Sequence, residues 1–355
     1  VLLPDLNYLD LNSNEIVDSS NNKANYVRWV NYIGNALIKR VKLYFDGQLI
    51  EEQTGEFMQV YTDIQDDDWN KLFLIGMNGK LNKPLPYIKG EYLYIPMKFW
   101  FCEGGEKALP LISMQYTDIE IEVEFRKLDE CYQVLKFKKE PLGEEGMTAY
   151  NYEHIDFVHT KNKIKTELLS RLSLKSVSLD CNFYYVDNEE RKRLSEKEHK
   201  ILITQTQSII TNINSQIIEL DFNHPVKEMF WFFSNKSVRE SPEPLNFSNM
   251  TEYPDSDVFD GFISKKGWGY YNYVKNFKDH WMDEARILVN GRELVGWNNW
   301  KYYYYTQNYE NYRNKMEHLV YLYSFSTNPK SINPAGSLNF SRVDNAQLQF
   351  TMNKK

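Results

Sequence analysis

A strand, an Asx-Gly turn and a second strand occur twice in this chain, and that repetition limits the folds open to it. Val41–Ile50 reads VKLYFDGQLI, and Ala285–Leu294 reads ARILVNGREL. Asp46-Gly47 and Asn290-Gly291 each sit where a two-residue type I′ turn needs positive φ at both central positions. The flanks agree in phase: Val41, Leu43 and Phe45 share one strand face, as do Ala285, Ile287 and Val289. Lys42 and Arg286 point the other way. Glycine is almost the only shared residue, so the order of the later elements carries the repeat. Each hairpin is followed by an aromatic strand, a turn-rich break ending in proline, and another strand. In the first copy these are Tyr94–Phe101, Glu103–Pro110 and Leu111–Phe125; in the second, Val320–Ser326, Thr327–Pro334 and Ser337–Phe350. Ile119, Ile121, Val123 and Phe125 alternate with Glu120, Glu122 and Glu124, as Ala346, Leu348 and Phe350 alternate with Gln347 and Gln349. The expectation is a duplicated all-β unit.

The remaining segments fit between these copies. Val1–Leu11 reads as a buried strand, and Tyr26–Arg40 carries apolar residues into the first hairpin. Gln53–Gly90 is a long excursion with a short helical stretch expected near Trp69–Gly76, and Pro242–Lys278 is a second excursion. Ser176–Val186 reads as a closing strand of the first copy. A charged helix follows, with Asp187 as its cap, Glu190 completing a capping box, and Glu189 and Arg193 at i,i+4. So polar a helix reads as a connector, dividing the chain into units 1–198 and 199–355. Ser215–Phe233 supplies two strands broken at Asn223-His224-Pro225. The copies differ at their ends, one lacking strands at its start and the other at its finish. The expectation is a piece of a longer chain.

Composition narrows the chemistry. Aromatic residues make up 15% of the 355 positions, which favours strands, and the net charge of −7 argues against a general nucleic-acid binder. Lys-rich Leu135–Glu140 lacks the basic–aromatic interleaving of a binding platform and reads as a solvated strand edge. No run approaches the roughly 18 apolar residues of a membrane-spanning helix. Cys102, Cys131 and Cys181 are odd in number and widely spaced, without CxxC, so no disulfide framework is expected. His154, His159, His199, His224, His280 and His318 show no tight H-x-H pattern, and Asp66-Asp67-Asp68 lacks alternating oxygen donors for calcium. No P-loop, G-x-S-x-G or Cys–His arrangement occurs. Arg342 and Asp344, two apart, read as a structural pair on one strand face. The Tyr302–Tyr305 run, with Trp300 before it, reads as packing or subunit contact, with sugar stacking as the alternative.

Several segments resemble one family. Ala108-Leu-Pro-Leu-Ile-Ser-Met-Gln-Tyr-Thr-Asp-Ile119 is similar to the LPLIALQYHDV segment of large-DNA-virus major capsid proteins, with Pro110, Gln115, Tyr116 and Asp118 in matching places. Trp29–Lys39 leads into a strand and Asp-Gly-Gln. Asp187–Arg193 resembles the family's D-x-E-E-R-R-R helix through Glu190, Arg191 and Arg193. Asn223, His224 and Pro225 open a segment that matches NHPVKE. Asn333–Asn345 resembles PSG-x-x-NFSRIDN through Gly336, Asn339, Phe340, Arg342, Asp344 and Asn345.

The resemblance implies a double jelly roll: two eight-stranded antiparallel β-sandwiches side by side, with long loop insertions and a short connecting helix. It implies a homotrimeric, pseudo-hexagonal capsomer that tiles an icosahedral shell. It further implies contacts with neighbouring capsomers, minor capsid proteins and an inner membrane beneath the shell, with no direct nucleic-acid contact. The protein would assemble in the host cytoplasm and reside in the virion, without cofactor, metal or catalytic residue. A minor homologous capsid protein and a jelly-roll carbohydrate-binding protein are the alternatives. The family segment before the first sandwich strand and the final strand have no match in this sequence. The excursions match no family motif.

Overall fold

A computed structural model describes residues 1–7, 26–65, 76, 85, 87–141, 148–154, 172–212, 215–234, 244–245, 247, 280–313, 316, 318–331 and 333–353. Its strands in chain order begin with β1 (Leu6–Asn7), β2 (Tyr26–Trp29), β3 (Ile38–Phe45), β4 (Gln48–Thr54) and β5 (Tyr87–Ile88). They continue with β6 (Ile119–Phe125), β7 (Tyr132–Pro141), β8 (Thr148–His154), β9 (Ile217–Glu219), β10 (Pro225–Val226) and β11 (Glu228–Phe232). The last are β12 (Met282–Val289), β13 (Arg292–Asn299), β14 (Val320–Ser324), β15 (Leu338–Asn339) and β16 (Ala346–Met352).

Both Asx-Gly pairs form the type I′ turn. Asp46 and Gly47 have φ of 48° and 76°, and Asn290 and Gly291 have 50° and 72°. The turns close β3 on β4 and β12 on β13. Along their eight residues β3 and β12 follow the same sequence of buried, half-buried and exposed positions. A third strand then pairs with the inner strand of each hairpin. Ile119, Ile121 and Val123 lie opposite Phe45, Leu43 and Val41, while Ala346, Leu348 and Phe350 lie opposite Val289, Ile287 and Ala285. The residues expected to share a strand face thus lie opposite one another in the ladders. The resulting sheets run β4-β3-β6 and β13-β12-β16-β9, joined by a β2-β7-β8 sheet and the pairs β1–β5, β10–β15 and β11–β14.

Several expected strands take another form. Tyr94–Phe101 is irregular chain ending in a 3-10 turn at Trp100–Cys102. Pro96 explains this, since proline has no N–H to give to a ladder. In Leu111–Phe125 only β6 is strand, because residues 111–116 coil into consecutive turns. Ser337–Phe350 is interrupted by a 3-10 turn at Phe340–Arg342. Ser176–Val186 is irregular chain and, among the described residues, joins no ladder beyond the Leu2–Ser176 bridge. Within Leu135–Glu140, β7 is hydrogen-bonded all along to β8, and Leu135 also pairs with Tyr26 of β2, so the segment is an edge on one side only. Of Val1–Leu11, the described part has strand only at β1. The stretch near Trp69–Gly76 lies, except for Gly76, outside the described residues, as does most of the second excursion.

Helices enter where the sequence reading placed none. Gly55–Gln65 follows β4 without a break, and the Thr54 hydroxyl accepts the Phe57 N–H at its start. After β13 the chain also turns helical, through a π-helix at Tyr302–Thr306 and an α-helix at Gln307–Asn311. The helix after the hairpin is therefore a further part of the repeat. The connector helix forms at Asn188–Glu196, with the Asp187 carboxylate accepting the Glu190 N–H at 2.9 Å. Arg193 pairs with Glu190 at i,i+3, one residue nearer than the expected Glu189.

One core spans both halves of the chain. It holds Leu3, Val27, Trp29 and Tyr132 together with Met229, Ile287, Tyr321 and Phe350, while Ile38, Val41, Leu43, Met58, Phe99 and Trp100 form a smaller cluster under the first hairpin. Where the halves meet, Phe57 stacks on Phe230 with centroids 5.9 Å apart, and Tyr32 packs against His318 at 5.0 Å. A buried polar chain crosses the same seam. Asn35 donates to Gln59 at 2.8 Å, Gln59 donates to one Asp63 oxygen at 3.0 Å, and the other Asp63 oxygen pairs with His318 Nδ1. Buried groups of this kind stay only when their partners are in place.

Candidate assembly site

The family-like segments occupy turns and caps, and several of them meet. Asp46 and Asn290, the first residues of the two turns, do the same work. The Asp46 N–H donates to the Asp118 carbonyl at 2.9 Å, and the Asp46 carboxylate accepts the Asp118 N–H at 2.8 Å. The Asn290 N–H donates to the Asn345 carbonyl at 2.8 Å, and its side-chain oxygen accepts the N–H groups of Asp344 and Asn345 at 2.9 and 3.1 Å. In both copies the Asx side chain fastens the hairpin to the entry of the third strand. Asp118 and Asn345 are thus equivalent positions, which their dissimilar surroundings in sequence conceal.

A second cluster joins Asn223–Pro225 to Gly336–Arg342. Pro225 pairs with Asn339 across the β10–β15 ladder. His224, at φ 67°, donates its N–H to the Ser341 hydroxyl at 2.8 Å and accepts from the Phe340 N–H at 3.0 Å. Asn339 caps the 3-10 turn by accepting the Ser341 N–H. Phe340 is buried, edge-on to Phe222 and Phe325. Gly336 has φ 105°, a value that side chains resist. Arg342 lies in the 3-10 turn, so it does not share a strand face with Asp344, and among the described residues no ion pair joins them.

A third contact covers the connector helix. The Ser113 hydroxyl, in the turns after Pro110, donates to the Leu194 carbonyl at 2.7 Å, and His199 also binds that carbonyl. Gln115 is exposed and Tyr116 is 98% exposed. Glu190, Arg191 and Arg193 face solvent. Along the surface, exposed large apolar side chains concentrate in two extended stretches. One holds Val177, Leu179, Phe183, Tyr184, Tyr185 and Val186; the other runs from Ile201 to Ile210. Exposed apolar area of this extent marks surface used in contacts.

The described histidines are dispersed, and His159 lies outside the described residues. His280 is buried against Trp300 with centroids 3.4 Å apart, and burial holds its pKa down at about 4. His318 is paired with Asp63, and His224 sits in its turn. Among the described residues no group of three His, Cys, Asp or Glu could hold a metal ion, and no helix is long and apolar enough to cross a membrane. The middle of the tyrosine run packs inward: Tyr303 donates to the Ala285 carbonyl at 2.9 Å and Tyr304 to the Met316 carbonyl at 3.1 Å, both buried, while Tyr302 is half-buried and Tyr305 exposed. Trp300 is 8% exposed. A sugar platform built on Trp300 is thereby corrected, because its ring face is already taken by His280.

Known proteins share this architecture. The chain superposes on PBCV-1 VP54, as fitted into a cryo-EM reconstruction of the virophage Sputnik, with a TM-score of 0.62 at 22% identity. The match covers 94% of this chain and 75% of that one. The Faustovirus major capsid protein gives a TM-score of 0.65 at 12% identity, covering 95% and 72%. The fold is a double jelly roll. In sequence, a profile described as "Major capsid protein N-terminus" matches residues 9–187, and one described as "Large eukaryotic DNA virus major capsid protein" matches residues 190–355. The major capsid protein of Phaeocystis pouchetii virus is 22% identical over 435 aligned positions, covering 97% of this chain and 80% of that protein. The chain belongs to the family of large eukaryotic DNA virus major capsid proteins. Its role is structural and its place is the virion.

Proposed function

We propose that three copies of this chain form a pseudo-hexagonal capsomer, and that such capsomers tile an icosahedral shell. One observation carries this reading: β3–β4–β6 and β12–β13–β16 are like units, with the third strand in the same register, the same burial sequence along β3 and β12, and the same turn anchor. Threefold symmetry acting on two like sandwiches presents six like edges to its neighbours. The boundary falls at 198/199, in support of which the connector helix ends at Glu196 and the two family profiles meet between residues 187 and 190. The residues of the family-like segments, from Pro110 to Asn345, hold turns and caps, and the protein works by assembly rather than turnover. The exposed apolar stretches at Val177–Val186 and Ile201–Ile210 supply area for contacts, and an obligate trimer would bury on the order of 2,000–5,000 Å² per interface. By its family resemblance the shell would contact minor capsid proteins and an inner membrane and would form in the host cytoplasm. Mass photometry and negative-stain averages of the purified full chain test the proposal. Trimers of hexagonal outline are expected; a stable monomer or dimer under assembly conditions would sink it.

A further inference from the structure

Three carboxylates from separate elements converge where the two halves meet. Glu51 lies on β4, Glu103 follows the 3-10 turn at Trp100–Cys102, and Glu228 opens β11 two residues before Phe230. Phe230 is the ring that stacks on Phe57, so Glu228 stands beside the apolar contact of the seam. Glu103 is tied down from the first half: the Tyr61 hydroxyl donates to it at 2.9 Å, and Lys107 pairs with it. Its charge acts on both Glu51 and Glu228.

Glu51 is 5% exposed. One of its oxygens accepts from Gln53 at 2.6 Å and from the Thr206 hydroxyl at 3.3 Å. Its other oxygen is buried without a hydrogen-bond partner, and among the described residues no cation pairs with it. Thr206 belongs to the chain that follows the connector helix, and its neighbour Gln205 donates to the Ile50 carbonyl at 2.5 Å. The Glu228 side chain is 8% exposed, and its nearest cation, Lys227 Nζ, is 3.6 Å away and also reaches the Pro329 carbonyl. The remaining titratable neighbour is Cys102, whose thiol is pushed up by burial and by the charges of Cys181, Glu103 and Glu51.

We propose that Glu51 and Glu228, set around Glu103, form a proton-operated clamp between the two jelly rolls. Protonated, both side chains are neutral and bring no negative charge of their own into the seam. Ionised, Glu51 and Glu228 each set a second negative charge near that of Glu103, and among the described residues the cations paired with this group are Lys107, on Glu103, and Lys227, on Glu228, neither of them paired with Glu51.

Burial is the main cause that pushes both carboxyls from an ordinary 4.5 to about 7, with the Glu103 charge adding to it. An unfolded or opened chain ionises these groups at the ordinary value. The stability they contribute is therefore whole below pH 4.5, falls as the pH rises to about 7, and declines no further above it. The clamp is tight in mild acid and slack at neutrality and beyond.

The test uses the full chain, with hydrogen exchange of the Gly55–Gln65 helix and of residues 205–207 followed from pH 5 to 8. After correction for intrinsic exchange, opening of these segments is expected to rise by about tenfold or more across that range. Glu51→Gln and Glu228→Gln, neutral at every pH, should each flatten the rise. An unchanged rise in the double variant, or a flat wild-type profile, overturns the proposal. Carboxyl C=O infrared bands of the unaltered protein give a reading that needs no variant. Bands of protonated, buried carboxyls should be present at pH 6 and lost by pH 8; their absence at pH 6 also overturns it. Calcium that restores protection at pH 8 would replace protons with a cation as the clamp's ligand and reject the proton mechanism.

Discussion

The two hairpin units share a backbone and almost nothing else. In the first, the outward face is a ladder of ions: Lys39 and Arg40 hold Glu124 at 2.6 and 3.0 Å, Arg40 reaches Glu52 at 3.0 Å, and Lys42 reaches Glu122 at 3.8 Å. In the second, Arg286 is held between an amide and a carboxylate. It donates to Gln349 at 2.8 and 3.0 Å and to Glu293 at 2.6 Å, and its guanidinium lies 4.8 Å from the Trp297 ring centroid. The entries to the following helices differ as much. Gly55 sits where an added Cβ would lie 2.2 Å from the Ile38 carbonyl oxygen and 2.4 Å from that of Asn35, whereas the second unit opens its helix with Trp300 stacked on His280. What repeats is the turn, its anchor and the buried alternation; the solvent face and the packing behind the hairpin have been free to change.

The comparison can be broken at its joints. Gly55→Ala should have the largest effect, more than about 4 kcal/mol, because the obstructing atoms are backbone that cannot swing aside. Loss of soluble protein, or a urea midpoint far below wild type, is the expected reading, and a folded variant of normal stability would refute the close approach. Trp300→Ala should follow, at about 3–5 kcal/mol, by leaving a cavity where the first unit needs empty space. Asp46→Ala and Asn290→Ala should each lose about 1–2 kcal/mol, from the severed anchor and from placing alanine at positive φ. Near-equal losses in thermal melts would uphold the equivalence, and a loss at one turn alone would break it. The outward faces should show the smallest effects. Gln349→Ala is expected to lose about 1 kcal/mol regardless of salt, while Glu124→Gln should give a smaller loss that vanishes at high ionic strength.

The parts legible in sequence were those set by single residues with narrow preferences. Asp46-Gly47 and Asn290-Gly291 fixed two turns, alternation fixed the facing of β6 and β16, and Asp187 fixed a helix start. The helix at Gly55–Gln65 escaped because β4 runs straight into it, although Thr54 ahead of Glu56 was a usable capping signal. The tyrosines at 302–305 favour strands by local preference, but burial of Tyr303 and Tyr304 against Ala285 and Met316 holds them in a helix. Pro96 already argued against a strand at Tyr94–Phe101. The seam was beyond reach: nothing local marks Asp63 and His318 as partners, or Glu51, Glu103 and Glu228 as neighbours. Such groupings exist only once two distant segments have been packed together.

The buried chain from Asn35 to His318 has a consequence in time. Asp63 and His318 are 255 positions apart, so during synthesis the aspartate leaves the ribosome long before its partner exists. At translation rates of about 5–20 residues per second that delay lasts roughly 10–50 s. Through that interval the first jelly roll presents the Asp63 oxygen that His318 will meet, and the Phe57 ring, where its sibling will later sit. The nascent half therefore carries an unsatisfied face that only completion of its own chain can close, and a neighbouring nascent chain with its second half already made offers the same closure in trans.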